Sequence, residues 1–545
     1  MTLAVPVTEA KVIYVNGNLN TDPVSDGLTW LTAFNTVQGG IESAREGDDV
    51  WVVATTYFEN ITLANGVAIY GGFDGTETER AQRNWTNNIT ILDGRQTNSV
   101  IVLRNATNEN NRVDGFVIRN GNGLSGGGIR CLQASLTVAN NVITNCKPYL
   151  SSSPLGGGAY CFGSSMTITN NHILGNRAYM GAGIYSEISS LVISYNLIQD
   201  NSAWNSGGGG IVCDRSVGVI SDNVICRNQA VYSGGGVALA SSSMAVSKNR
   251  ISENSASFGG GLAVSGGLNS PKLIVSYNEV IGNTCHNPGG GGIYCDTVDA
   301  LVLNNLVVSN TSIGAYGAGG IGGGIYCTKS PNWDATTRLY NNTIIGNNAK
   351  VGSGLYDQEG SAWLANNLVC FNISPTTSSY GSGVHGVGTE FRNNCVFGNS
   401  VYNYGGNDLT GTNGNISVDP LLVSTNDFHI SAGSPCIDAG DDSIIEAGWL
   451  DLDGQTRRAG AHVDIGADEF GSGMPFFLTL LGTQDTGHTR LRLTGEVGRV
   501  YLFQSSPDLT KWTTVTTNQA TNATLDVSDP TPAELAPRFY RALTP

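Results

Sequence analysis

Between residues 140 and 399 an asparagine is followed five residues later by a second asparagine ten times over, with apolar residues between. The pairs run from Asn140/Asn145 and Asn171/Asn176 through Asn249/Asn254 to Asn394/Asn399. A second series alternates with the first: a glycine cluster followed by an apolar residue, its last glycine at Gly128, Gly158, Gly183, Gly210, Gly236, Gly261, Gly292, Gly324, Gly354 and Gly383. Most steps are 25 to 31 residues, with one longer insertion before Asn342. A unit this short is no domain; it is one turn of a solenoid. Short β-branched runs bounded by Asn and Gly, such as Leu191–Ser194 and Leu273–Ser276, read as its strands. Stacked coils bring each strand beside its equivalent about 4.8 Å away, in parallel register. The expectation is an all-β, right-handed parallel β-helix. Asparagine at a corner tolerates the left-handed conformation and pairs amides from coil to coil, and glycine fills corners closed to a β-carbon.

The second motif gives the phase. The residue after the last glycine (Ile129, Ala159, Ile184 and so on) is expected to point inward. Two residues further on, Cys131, Cys161, Cys213, Cys295 and Cys327 are inward again by the period of two. Buried thiols acting as small hydrophobes explain this ladder, while neighbours such as Cys131/Cys161 also lie within disulfide reach. No Cys/His cluster has zinc spacing.

The stack needs ends. Phe34, Val37, Ile41 and Ala44 are spaced for an amphipathic helix over 32–46 covering the N-terminal opening. Strands are expected at Asp49–Ala54, Val67–Phe73 and Val100–Leu103. The chain thus divides into an N-terminal segment and capping helix (1–48), the β-helix (49–435), an Asp- and Gly-rich closing segment (436–472) and a small β-sandwich (473–545). In the last part Leu491, Leu493, Val500, Leu502, Trp512 and Val515 mark strands, with a turn at Ser506-Pro507-Asp508.

Charge narrows the partners. Charged residues make up 13% and the net charge is −16. That argues against nucleic acid, which needs a basic stripe, and against docking on anionic membranes. No apolar run is long enough for a membrane span. The first ten residues lack a basic n-region, so export implies a leader outside this sequence.

The repeats resemble the GGA[ILV] and FxxN motifs of chlamydial polymorphic outer-membrane proteins, here Gly322-Gly323-Gly324-Ile325-Tyr326 and Val396-Phe397-Gly398-Asn399. The opening, with Gly47-Asp48-Asp49-Val50-Trp51-Val52 and Ile69-Tyr70-Gly71-Gly72-Phe73, is similar to secreted bacterial β-helix proteins of pectin-lyase-like fold. Ile437-Asp438-Ala439-Gly440, Asp451-Leu452-Asp453-Gly454 and Asp464-Ile465-Gly466-Ala467-Asp468-Glu469-Phe470 resemble the close of the choice-of-anchor Q domain. The tail, with Lys511-Trp512 and Arg538-Phe539-Tyr540-Arg541, resembles a C-terminal module on secreted proteins of verrucomicrobia. These resemblances imply export or display at the cell surface. They imply no particular activity.

Candidate chemistry lies on the outward positions. Two residues after the last glycine come Arg130, Tyr160, Tyr185, Val212, Ala238, Ala263, Tyr294, Tyr326, Tyr356 and His385. The tyrosines either stack on sugar faces or form a ladder stacked on itself. Before the second asparagine, three successive coils carry Asp200, Arg227 and Glu253. They suit a salt-bridge ladder or catalysis on an acidic polymer, Arg227 neutralising a carboxylate. Glu187 and Asp214 occupy equivalent positions on adjacent coils, a spacing for a retaining glycosidase pair, a Ca²⁺ site or a solvated strand end. Asp451 and Asp453 suit a structural Ca²⁺ loop or a plain Asx turn. No cofactor is required by the sequence, and Ca²⁺ is the one ion it suggests. The leading expectation is a surface or secreted protein recognising an extended polysaccharide or cell-surface glycan. A polysaccharide lyase or glycoside hydrolase and a structural spacer or filament subunit are the alternatives; whether the chain is an enzyme stays open.

Overall fold

The computed structural model describes residues 10–19, 25–149, 152–266, 272–314, 319–331, 333, 335–375, 382–424, 426–471, 476–483, 488–495, 500–506, 511–522, 524–532 and 538–543. They form two compact units. The first comprises Met1–Pro420 with Ala439–Ile444 and Ile465–Ala467; the second comprises Leu421–Asp438, Ile445–Asp464 and Asp468–Pro545.

The first unit is a parallel β-solenoid. Each coil crosses three long sheets, and the coils from Arg177–Ala178 to Thr311–Ser312 add a strand to a short fourth one. In one coil these strands are Ile184–Glu187, Ser190–Ser194, Leu197–Gln199 and Ser202–Ala203. Every strand pairs in parallel with its equivalent one coil away, giving sheets of 14, 13, 13 and 6 strands among the described residues. The first sheet runs from Val12–Val15 to Phe391–Arg392. The strands are only two to six residues long, and alternate residues point into a single continuous core. The expected inward residues, from Ile129 and Cys131 to Ile325 and Cys327, are buried. All eleven cysteines are buried. One rung later the cysteine ladder takes a carboxylate: Cys327 pairs in register with Asp357, which is fully buried. Its oxygens accept from the Ser361 and Ala362 amides and the Ser361 hydroxyl, and burial still pushes its carboxyl up to about 6.

The asparagine corners differ from expectation in one respect. The ladder asparagines are buried and not left-handed; the residue before each one is. Tyr195, Asp222 and Lys248 have φ near +57°, and so do Asp200, Arg227 and Glu253 before the second ladder. The left-handed turn lets the asparagine amide lie along the coil axis, where it satisfies the backbone groups that the corner leaves open. Asn196 shows the pattern: its Nδ2 donates to Asn223 Oδ1, Ile168 O and Ser194 O, while its own N–H donates to that same Oδ1. For this reason the first coil is shifted by one from the expected pair. Asn140 and Asn145 are the left-handed residues, and Asn141 and Cys146 occupy the ladders. The last glycine of each cluster is required by the next coil. A β-carbon on Gly183 would lie 2.4 Å from the Gly210 carbonyl oxygen.

The N-terminal helix is shorter than 32–46. It spans Val37–Ser43 and is capped by the Thr36 hydroxyl. Phe34 cannot join it, because its backbone pairs with the first strand: Phe34 N–H donates to Tyr14 O and Asn16 N–H to Phe34 O. Val37 and Ile41 pack with Ile13, Val15 and Val50 at the start of the core. The strands expected next are present as Asp49–Val53, Ala68–Phe73 and Ile101–Arg104. Two pieces of the Asp-rich closing segment bond to the last coils. The Arg392 guanidinium pairs with Asp441 at 2.7 Å, and Gly466 N–H donates to Asn366 O.

In the second unit, the described residues of 421–438 and 445–464 are mostly turns, with Arg457 fully buried and its Nη2 donating to Asp464 O. Two antiparallel three-stranded sheets follow. One orders Phe477–Thr483, His488–Thr494 and Thr524–Pro532; the other orders Thr513–Gln519, Val500–Ser506 and Phe539–Leu543. Leu493, Tyr501, Phe503, Ala520 and Val527 form their core, as a small sandwich requires. The expected turn at Pro507-Asp508 lies outside the described residues.

Candidate functional site: a notch in an aromatic ladder

The outward ladder is in register from coil to coil as its sequence spacing demands. Its rings stack on one another. Tyr160 and Tyr185 are 5.8 Å apart at 13°, Tyr294 and Tyr326 are 5.4 Å apart, Tyr326 and Tyr356 5.0 Å at 5°, and Tyr356 and His385 5.4 Å at 9°. Stacked neighbours cover each other's faces, so inside each stack only ring edges meet solvent. Burial raises the phenol pKa of Tyr185 and Tyr294 above the ordinary value, with neighbouring carboxylates adding to it, and pushes Tyr326 up to about 12. These hydroxyls stay protonated at neutral pH.

Between the two stacks the ladder residues are Val212, Ala238 and Ala263. The missing rings leave a recess of about 330 Å³, within the range of small-ligand sites. Val212, Ala238 and Ala263 form its floor, and Tyr232, Phe258 and Tyr294 are its aromatic walls. Gly207 and Ser233, which precede the left-handed glycines Gly208 and Gly234, keep it open on one side. The equivalent residues beside Tyr160, Tyr185, Tyr326 and Tyr356 are larger, namely Leu155, Met180, Ile321 and Val351, whereas Gly289 stands beside Tyr294 at the edge of the notch. Phe258 follows the opposite rule. It stands before Gly259 in the coil of Ala263, and its ring lies 5.6 Å from Tyr294, extending that stack to the edge of the notch. Tyr232 approaches Phe258 edge-on at 5.4 Å and is 58% exposed, so its surface is open to a ligand. Tyr232 and Phe258 were missed in the sequence. The signal was present: an aromatic residue just ahead of a glycine cluster on the coils where the ladder residue shrinks to alanine. A second exposed stack, Tyr149 on Trp204 at 5.2 Å and 19°, stands on preceding coils.

The charged candidates fall at two different corners. Glu187 and Asp214 pair in register at the ends of the ladder strands, and the same row continues through Ala240 and Ser265 to Asp296. Arg215, unnoticed in the sequence, bridges the first two: it bonds Glu187 and lies 3.1 Å from Asp214. Asp296 lines the notch. Asp200, Arg227 and Glu253 follow the third sheet, away from this row. Arg227 pairs with Asp200 at 3.1 Å, both about half exposed, which realises one step of the expected salt-bridge ladder.

In the second unit Asp451 and Asp453 have separate roles. Asp451 is buried and its Oδ1 accepts from the Asp453 and Gln455 amides, which is the Asx turn. Asp453 instead reaches His429 Nε2 at 2.7 Å. His429, Asp453 and Asp468 each offer a ligand atom, all within 4.8 Å of one another. His429 Nδ1 bonds Asp427. The hydrogen bond to Asp453 pushes the imidazole pKa up to about 10 against the opposing effect of burial, so a protonated His429 is held among carboxylates.

Residues 87–275 match the family model described as the right handed beta helix region, in agreement with the expected hand and fold. Comparison with curated proteins finds no match. Among solved structures, a tailspike protein double mutant of E. coli bacteriophage HK620 in complex with a pentasaccharide is 10% identical, with 92% of this chain and 81% of that one covered and a TM-score of 0.24. A single mutant of the same tailspike, also in complex with pentasaccharide, gives 10% identity, the same coverage and a TM-score of 0.22. No helix among the described residues is long and apolar enough to cross a membrane.

Proposed function

We propose that this chain is a secreted or cell-surface β-helix that recognises an extended polysaccharide, and that a short run of sugar rings seats in the notch over Val212, Ala238 and Ala263. The observation that carries the reading is the interruption itself. Stacked aromatic pairs stabilise by about 0.5–1.5 kcal/mol each, so three successive ladder positions without a ring forgo stacking in that row, which Phe258 against Tyr294 and Tyr232 against Phe258 replace only at the edge of the gap. What the gap supplies is a recess with a small-residue floor, exposed ring surface at Tyr232 and the protonated phenol of Tyr294. Those are the elements that hold a sugar: an apolar face for its C–H side and donors for its hydroxyls. Tyr160, Tyr185, Tyr326 and Tyr356 act in this reading as the support of the ladder, and Tyr294 with Tyr232 and Phe258 makes the contact.

The test is binding of the whole chain to a panel of soluble polysaccharides by calorimetry, beside Ala238→Tyr, which restores the missing rung. Binding to at least one polysaccharide, lost in Ala238→Tyr with the fold unchanged by circular dichroism, supports the reading. Equal binding by both proteins removes the notch from it. The same incubations are followed for reducing ends and unsaturated products, because Glu187 and Asp214 lie one coil apart beside the notch. Turnover that disappears in Glu187→Gln would make the protein an enzyme.

A further inference from the structure

The notch has a sign of charge as well as a shape. Among the described residues lining it, Asp296 is the one charged side chain. It is half-buried, and its Oδ1 accepts from the Thr297 hydroxyl at 2.9 Å. No Lys or Arg among the described residues forms an ion pair with it. That sets it apart from the other two carboxylates of its own row, whereas Glu253 and Asp222, at other corners, also form no ion pair among the described residues. Glu187 and Asp214 share Arg215, Asp200 has Arg227, Glu279 has Arg250, and Asp299 has Arg338. In the row that runs from Glu187 and Asp214 to Asp296, the first two carboxylates are neutralised by Arg215 and the one facing the recess is left bare, in a chain whose net charge is −16.

We propose that the notch selects uncharged sugar units and excludes uronates, with Asp296 as the residue that sets this specificity. The inference rests on the glycan-binding reading above and narrows its substrate class. An unpaired carboxylate is an acceptor-only group with two oxygens, suited to two neighbouring sugar hydroxyls, and hydrogen bonds to a charged acceptor are the stronger kind. A uronate brought into the same recess sets a second carboxylate near the first. Between like charges a few ångströms apart at a half-buried site the repulsion is large compared with thermal energy. The direction is opposite to what Arg227 suggested in the sequence: that arginine lies at another corner and is already paired with Asp200.

The experiment measures affinity of the full chain for two sets of probes of matched length, uncharged gluco- and manno-oligosaccharides and charged oligogalacturonates. Wild type, Asp296→Asn and Ala238→Tyr are compared at low and moderate salt. The expected result is binding of an uncharged probe with the uronates weaker by about ten-fold or more, by the size of such repulsion. Asp296→Asn, which keeps the side-chain shape, narrows that gap from both sides. It weakens the uncharged probe several-fold and strengthens the uronate, and added salt strengthens the uronate in wild type but not in the variant. Uronates bound as tightly as uncharged probes and lost in Ala238→Tyr would leave the notch a glycan site and overturn the selectivity. An unchanged ratio in Asp296→Asn would overturn the assignment to this residue. Binding of neither set at the notch would overturn both this inference and the reading it rests on.

Discussion

The ladder strands of the coils at Tyr294, Tyr326 and Tyr356 and those at Val212, Ala238 and Ala263 share a sheet, a register and buried inward residues. Beneath both, the asparagine amides hydrogen-bond in the same way. They differ on the outward face. One stretch carries rings 5.0 to 5.4 Å apart; the other is floored by valine and alanine under a recess. The difference teaches that a solenoid separates two kinds of information. Its corners and inward rows are fixed by what stacking demands, and its outward rows are free to vary without changing the backbone.

If that separation holds, the corners should respond alike in both stretches. Asn249→Ala in the interrupted stretch and Asn342→Ala in the stacked one each remove a buried amide and leave backbone groups on the adjoining coils without a partner. Each should cost about 3 kcal/mol or more, read as loss of hydrogen-exchange protection in the adjoining coils. Unequal losses would break the comparison. A somewhat smaller effect belongs to the stacked stretch alone, where the inward row ends on Asp357. Its carboxyl has a folded pKa of about 6, above the ordinary 3.8, so the folded chain holds a proton that the unfolded chain has released between those values. This favours the folded state below about pH 4, and the advantage is lost as pH rises through 6. Asp357→Asn should flatten that trend, by up to about 3 kcal/mol between pH 4 and 7, measured as protection around Leu355.

Tyr326→Ala removes two stacks and should cost about 2 kcal/mol, while Tyr326→Phe costs little; thermal unfolding distinguishes them. Ala238→Tyr is the reciprocal change. It should leave stability unchanged or raise it by up to about 1 kcal/mol while removing saccharide binding, because a ring there has Ala263 and Val212 as neighbours instead of clashing ones. The smallest effect is at the third-sheet corner. Glu253 and Arg227 hold φ of +57° and +54°, where other coils use Gly175, Gly282 or Gly346. Glu253→Gly should stabilise by about 0.5–1 kcal/mol, and saccharide affinity should not move.

The sequence showed the regular parts because the physics behind them repeats. Ten glycine clusters and ten asparagine pairs can be read as one coil, and the inward phase follows from a period of two. The register of the first asparagine pair was misread by one, since Asn140 and Asn141 are chemically the same and only the corner geometry tells the left-handed one from the buried one. The helix was drawn too long because Phe34 has helical spacing but is held by backbone pairing with a strand eighteen or more residues earlier. The site was half visible. Small residues between tyrosines marked the place, but Tyr232 and Phe258 come from a preceding corner, and only the stacking of coils brings them over Ala238 and Ala263. Arg215 was hidden in the same way, one residue past the row to which its partners belong.

The most direct test of the account is hydrogen exchange of the whole chain with and without a saturating uncharged oligosaccharide. The account predicts added protection confined to segments around Gly207–Val212, Tyr232–Ala240 and Phe258–Ser265, with none at Tyr326–His385. Protection centred on the stacked tyrosines, or none in the three segments, would contradict it.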